Sequence, residues 1–256
     1  MVQHAMRGVA AALTSFLCCS AALAQPNDIN QTIRDCARQQ VEEHHYAYAQ
    51  VILNAAIAQG NSEALAIYGQ MYLDGQQGVP QDYARAYAYF NNAAAKGNSN
   101  GLFNLGMLYW QGLGVVKQPQ TALKYFEAAR KAGNMKSGRY IGLYHEQHGQ
   151  YIRAVADYRQ AANAGDITSQ YYLGRAYQQG KGVTRDYAQA LSWYTKAASR
   201  GDHVASDGMV GLASLYEHGQ GVTVDLPRAS ALYAQAAQLG NTNAQAALKH
   251  LTAKTP

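Results

Sequence analysis

Cysteine is scarce in this chain: only Cys18, Cys19 and Cys36 occur in 256 residues, and the first two lie in the opening apolar segment. Removal of that segment leaves Cys36 alone, so no internal disulfide can form and the fold must be held by packing. Cys36 sits in the helical-looking stretch "TIRDCARQQVEE" and reads as a small half-buried hydrophobe. Proline is also rare, at five residues, and charged residues make up only 14%. Basic residues form no cluster, which leaves no nucleic-acid footprint. No apolar stretch of about 18 residues follows the opening segment, so no membrane span is expected.

The opening, "MVQHAMRGVAAALTSFLCCSAALAQ", joins a basic start at Arg7 to a short apolar run and the triplet Ala22-Leu23-Ala24. That order predicts a signal peptide over 1–24, cleaved after Ala24, and an exported chain. Lipidation at Cys18 or Cys19 needs small residues just upstream, and Phe16 and Leu17 fit that poorly. Without Arg7 the balance is 20 basic against 16 acidic residues, a mild excess that permits an acidic partner without demanding one.

What the chain has in quantity is Ala, Gln, Gly and 20 Tyr, with 48% hydrophobic residues overall. That composition favours helices joined by glycine turns. Self-similarity is strong. "LGRAYQQGKGVTRDYAQALSWYTKAASRG" (Leu173 to Gly201) aligns with "LGMLYWQGLGVVKQPQTALKYFEAARKAG" (Leu105 to Gly133), and the same frame fits segments starting at Tyr68 and Leu212. Successive repeats are read at 61–97, 98–133, 134–165, 166–201 and 202–240. The third is short because it lacks the long glycine turn, and Gly208 in the fifth suggests a loosened helix start. Upstream, 46–60 reads as the second helix of a further repeat behind a capping helix over 25–45; "NTNAQAALKHL" reads as a closing helix, with 252–256 as a tail.

Each repeat is expected to be a helix pair. Small residues at Gly69, Gly106, Gly142, Gly174 and Ala213 permit close helix approach, and the tyrosines three positions later, such as Tyr72 and Tyr109, are expected to fill the gap beside them. Second-helix alanines and aromatic pairs such as Tyr125-Phe126 share one face.

The frame A-x-x-x-L-G-x-x-Y-x-x-G-x-G-V-x-x-D, followed by A, an aromatic pair and A-A-x-x-G, resembles the Sel-one-like repeat (SLR) family, a relative of the tetratricopeptide repeats. The resemblance covers residues 46–251. It implies an all-α fold, an α/α superhelix or solenoid of tandem helix pairs, that binds protein partners. The third repeat departs from it, with His145 in place of the tyrosine. Exported bacterial members imply a periplasmic or secreted location, and some are immunity proteins against a delivered toxin, which stands as the alternative to a generic scaffold or adaptor.

By similarity to tetratricopeptide repeats, first-helix positions three before the small residue and one, four and five after it line the concave face. Here they include Phe103, Met107, Trp110 and Gln111, then Arg139, Leu143 and Glu146, then Tyr171, Arg175, Gln178 and Gln179. Trp110 and Arg175 are the main binding expectations, with alanine at either costing binding and sparing stability. Phe103 and Tyr171 have the competing reading of inter-repeat core.

Reactive motifs are weak. "GKGVTRD" at 180–186 has the glycines and lysine of a phosphate loop, but the spacing from Gly174 is one too long, Gly182 stands where Ser or Thr is needed, and no strand precedes it. The segment recurs without its lysine at 112–118 and 219–225, so it reads as a turn: Gly180 and Gly182 end a helix, Val183 packs back and Asp186 caps the next. "HEQH" at His145 to His148 lacks the zinc-protease order, and adjacent His44 and His45 point apart on a helix. No serine has a lysine three residues on, the arrangement of penicillin-binding nucleophiles. No enzyme, cofactor, metal or small-molecule substrate is expected; a cell-wall hydrolase has no supporting motif. The expected partner is a protein or peptide.

Overall fold

A computed structural model describes residues 46–75 and 79–254. The expected signal peptide, the capping helix over 25–45, Cys36 and the His44–His45 pair lie outside the described residues. Among the described residues the structure is all helical: α1 (Tyr46–Ala58), α2 (Ser62–Asp74), α3 (Tyr83–Ala95), α4 (Ser99–Gln111), α5 (Pro119–Lys131), α6 (Ser137–Gln147), α7 (Tyr151–Asn163), α8 (Ile167–Gln179), α9 (Tyr187–Ala198), α10 (Ser206–His218), α11 (Leu226–Gln238) and α12 (Thr242–Lys254). Consecutive helices pack as pairs in the manner of a solenoid. The chain forms two compact units divided after Asn134, the first holding α1 to α5 and the second α6 to α12.

Glycine in the first helix of each pair sets the packing. A methyl group on Gly69 would lie 2.7 Å from the ring of Phe90, one on Gly106 2.6 Å from Phe126 and one on Gly174 2.7 Å from Tyr194, and Gly142 is pressed in the same way against Tyr158. These four rings are among the largest fully buried side chains. The gap beside the glycine is therefore filled by the second aromatic of the partner helix, which corrects the expectation that the first-helix tyrosine fills it. That tyrosine instead stacks on the first aromatic of the pair, Tyr72 on Tyr89 at 5.6 Å and Tyr109 on Tyr125 at 5.6 Å. The reason is register: residues three apart on a helix are offset by about 60° of turn, enough to face a different ring. The fifth repeat carries buried Ala213 in place of glycine and presses Gly211 against Tyr194 of the repeat before.

The third repeat replaces the aromatic stack with a hydrogen-bonded histidine–aspartate pair. His145 occupies the tyrosine register and Asp157 that of the first aromatic, and His145 Nδ1 meets Asp157 Oδ2 at 2.7 Å. Both side chains are largely buried. Two polar groups withdrawn from water require each other, so the substitutions come as a set.

The long turns behave as read from sequence. Gly180 is left-handed at φ 69° and its N–H reaches Ala176 O; Val183 packs on the second-unit core, and Asp186 Oδ1 accepts the N–H of Gln189 to cap α9. Gly182 has a further role. It combines φ 74° with backbone contact to Tyr151 at the start of α7, leaving no room for a side chain. Gly114 sits against Tyr83 and Gly221 against Tyr187 in the same way, so the second turn glycine docks each repeat on the previous one.

The junctions between repeats use a signal the sequence reading passed over: glycine followed by Asn or Asp at 60–61, 97–98, 133–134, 165–166, 201–202 and 240–241. Asn98 Oδ1 caps α4 through the N–H groups of Asn100 and Gly101, while its amide donates to Glu63 of the preceding first helix at 2.9 Å. Asn241 repeats this with Ala244 N–H and Asp207. One side chain thus satisfies a helix end and ties neighbouring repeats. The extra length of the fifth repeat forms a short 3₁₀ turn, His203–Ala205, capped by Asp202. Gly208 is not a loosened start. It is buried in α10 at a close approach to Ala197, where a Cβ would lie 2.6 Å from the alanine methyl.

Candidate protein-binding face

The first-helix positions expected to line a binding face differ in chemistry between the two units. In the first unit Phe103, Met107 and Trp110 are half-buried on α4 and Gln111 is exposed. The ring of Phe103 lies 5.7 Å from Phe126, and Trp110 meets the same ring edge-on at 6.2 Å. In the second unit Glu146, Arg175 and Gln178 bring polar groups to equivalent positions, and Arg175 and Glu146 bond to each other. Arg175 Nη2 on α8 contacts Glu146 Oε1 at 2.7 Å and Oε2 at 2.8 Å on α6, and Tyr158 on α7 donates its hydroxyl to Glu146 Oε2 at 2.7 Å. The Arg175 guanidinium also lies over Tyr172 at 4.8 Å and near Tyr171 at 5.9 Å.

This motif recurs. Tyr194 donates to Gln178 Oε1 at 2.7 Å, and Gln178 Nε2 donates to Gln220 Oε1 of the next repeat at 2.8 Å. Tyr233 donates to Glu217 Oε2 at 2.9 Å. The acceptor always stands four residues after the small residue, and its chemistry follows the ring it faces. Phe90 and Phe126 have Leu73 and Trp110 at that register; Tyr158, Tyr194 and Tyr233 have Glu146, Gln178 and Glu217. A buried hydroxyl demands a partner and a phenyl ring excludes one.

The electrostatics follow from burial. Burial pushes the Tyr158 hydroxyl above its ordinary value, and the hydrogen bond to Glu146 and the charge on that carboxylate add to the rise. Tyr194 is raised by burial first, then by Tyr171; Tyr233 by burial, then by its bond to Glu217. Burial acts to lower the pKa of Arg175, but Glu146 and the surrounding tyrosines outweigh it and hold the guanidinium charged.

Arg139 pairs with Asp166 at 3.5 Å and covers Tyr140 at 5.0 Å. Tyr171 is half-buried, 5.9 Å from the Tyr194 ring. Leu143 packs on the second-unit core, while Gln179 is exposed. Arg139, Glu146, Arg175 and Gln178 therefore have structural work within the unit, which the sequence reading did not assign to them. Arg175 in particular cannot change to alanine without leaving Glu146 short of a partner, so a pure binding effect with unaltered stability is not expected there.

The reactive motifs do not assemble. The two histidines of "HEQH" go to separate partners, His145 to Asp157 and His148 Nδ1 to the carbonyl of Tyr144 at 2.7 Å. No group of three His, Cys, Asp or Glu residues that could hold a metal occurs among the described residues. Gly180 follows a helix, and Lys181 lies over the ring of Tyr151 at 5.7 Å. No helix among the described residues is long and apolar enough to cross a membrane.

Comparison with known proteins agrees with this architecture. The Sel1 repeat matches residues 62–98, 99–134, 167–202 and 206–241, more than half of the chain. The unmatched interval holds the third repeat, with its short turn and its His145–Asp157 pair. A Sel1 repeat protein from Oxalobacter formigenes is 29% identical with a TM-score of 0.73, covering 83% of this chain and 84% of that one. The protein c5321, a protective antigen of uropathogenic Escherichia coli strains with an SLR fold, is 32% identical with a TM-score of 0.68, over 84% of this chain and 48% of that one. The rat DAP3-binding cell death enhancer 1 is 30% identical over 90 residues, 34% of this chain and 18% of that protein. The chain thus spans about half of the E. coli antigen and under a fifth of the rat protein. Sel1 repeats generally serve as non-catalytic protein-interaction scaffolds. With four repeats matched and the paired-helix fold in place, this chain belongs to the Sel1 repeat family.

Proposed function

We propose that this protein is a non-enzymatic scaffold or adaptor, exported to the periplasm or beyond, that grips a protein or peptide with its first-helix face. The observation that carries the reading is the composition of α4, where Phe103, Met107 and Trp110 come up together beside exposed Gln111. Aromatic and methionine side chains on a surface held by packed helices are the chemistry of binding hot spots. In the second unit the bonded network of Glu146, Tyr158, Arg175, Gln178 and Tyr194 holds that unit's own first-helix positions, and a rigid surface loses little conformational entropy on binding. The signal-like opening segment supports export.

The test is affinity capture from the periplasm of the native host, with mass spectrometry of what is retained. One protein recovered in near-equal amount, and rebinding when purified, is the expected result. Turnover of a cell-wall substrate by the purified chain, with no protein retained, would overturn it. An immunity role is the same geometry with a toxin as the partner, and relief of toxicity on co-expression separates it from an assembly role.

A further inference from the structure

The short turn of the third repeat leaves an opening on the second unit. Between α6 and α7 only His148, Gly149 and Gln150 connect the helices, where the next repeat uses the whole of 180–186. The turn of that next repeat still docks on α7 through Gly182 against Tyr151. Between the short turn and the full one lies an open cleft of about 870 Å³, lined by Gly149, Tyr151, Ile152, Arg153, Val183 and Thr184 among others. Ile152 is 78% exposed there, as much as any large hydrophobic residue described in the chain. A β-branched apolar side chain held so far into water at the lip of a cleft is one that a partner can cover.

Cations predominate around it. Arg153 lines the cleft and is exposed; Lys181 and Arg185 stand immediately before and after the lining residues 182–184 in the chain and are exposed as well. The nearest acids are engaged: Asp186 Oδ1 caps α9, and Glu146 holds Tyr158 and Arg175. The same holds across this unit. Asp186 and the side chain of Asp202, which pairs with Arg200, are the exposed acids among its described residues, whereas Arg153, Arg159, Lys181, Arg185, Lys196 and Arg228 are all exposed. The near-balanced composition conceals this, because the acids serve as helix caps and hydroxyl acceptors while the cations are left at the surface.

We infer that this cleft is a docking site of the second unit and that it takes an acidic peptide segment carrying an apolar side chain. The apolar residue covers Ile152 and Val183, and its flanking carboxylates meet Arg153, Lys181 and Arg185. Peptide is favoured over lipid or nucleic acid because the cations are separated by apolar surface and lie over rings, Lys181 over Tyr151 and Arg185 over Tyr187, and form no continuous basic track.

The test uses the full chain and a fluorescein-labelled peptide Ac-Glu-Asp-Ile-Leu-Asp-Glu-NH2, with the same peptide bearing Gln and Asn for Glu and Asp as control. The acidic peptide is expected to bind at least tenfold tighter than the control and to shift the amide resonances of 149–153 and 182–184. Ile152→Ser and the double change Arg153→Gln with Lys181→Gln are each expected to weaken it at least tenfold, at unaltered circular dichroism. Trp110→Leu, on α4 of the first unit, is expected to leave it unchanged, so this site and the first-helix reading fail separately. Equal binding of the two peptides, indifference to the Ile152 and Arg153/Lys181 changes, or displacement of the peptide only by phosphatidylglycerol vesicles or a 20-mer oligonucleotide would overturn the proposal.

Discussion

Tyr158 donates its hydroxyl to Glu146 at 2.7 Å across a helix pair, in a register where the first unit has Phe126 facing Trp110. The chain therefore contains its own control for the polar version of this contact. Glu146→Leu alone leaves the Tyr158 hydroxyl without an acceptor and the Arg175 guanidinium without its carboxylate, and should lower stability by at least about 1–3 kcal/mol. Adding Tyr158→Phe removes the orphaned donor and should recover part of that loss, a coupling of about 0.5–3 kcal/mol in a double-mutant cycle by urea unfolding. Strict additivity would show that the hydroxyl and the carboxylate do not depend on each other.

Gly182 combines a left-handed backbone with contact to the Tyr151 main chain. Gly182→Val should destabilise the chain by at least the strain of such a conformation, about 1–3 kcal/mol. Thermal unfolding measures it, and an unchanged Tm would mean that the turn does not dock the fourth repeat on the third.

The His145–Asp157 pair stands where other repeats stack aromatic rings. Asp157→Ala should cost about 1–3 kcal/mol by stranding the imidazole in a buried site. Changing both residues to tyrosine copies Tyr109 and Tyr125 and removes the stranded imidazole, but adds volume to a buried site, so the double variant should stay about 1–3 kcal/mol below the parent unless the neighbouring side chains give way. Chemical denaturation of the single and double variants distinguishes these outcomes.

Alkali should unfold the protein through its tyrosines. Burial first, with neighbouring hydroxyls and carboxylates, raises Tyr158, Tyr171, Tyr172, Tyr194 and Tyr233 above the ordinary value of 10.0; the hydrogen bond shared with Tyr87 first, then burial, brings Tyr109 to about 12. Below pH 10 both folded and unfolded chains keep these protons, so the groups add no pH dependence. Above it the unfolded chain releases protons first, and stability falls by up to about 1.4 kcal/mol per pH unit for each such group. Urea midpoints between pH 8 and 12 should be level and then drop, with phenolate absorbance appearing at the unfolding transition. Full phenolate titration in a folded chain would contradict the burial.

The repeat frame, the helix pairs and the turn chemistry were legible because glycine, tyrosine and alanine recur at fixed spacing, and each has one mechanical use there. The partners of those residues were less legible. Trp110 and Glu146 share a register yet look unrelated until Phe126 and Tyr158, in the helix that follows each, are seen to face them. Arg175 read as a surface cation because its carboxylate lies 29 residues away, in the previous repeat. The Gly-Asn and Gly-Asp junctions were open to recognition, since a capping side chain after a helix-ending glycine is a local signal. The cleft beside Ile152 follows from the missing turn, but its lining comes from two repeats and needs the fold.

The central claim, a binding face on the first helices, is tested most directly at Trp110. Trp110→Leu places at this register the residue that the previous repeat carries there, keeping apolar contact with Phe126 while removing the indole. The measurement is the affinity of the captured partner for the parent and for this variant by titration calorimetry, beside the Tm of each. The account predicts a loss of about 30-fold, the size of a 2 kcal/mol hot spot, with a small change in Tm. Unchanged affinity would place the partner elsewhere and contradict it.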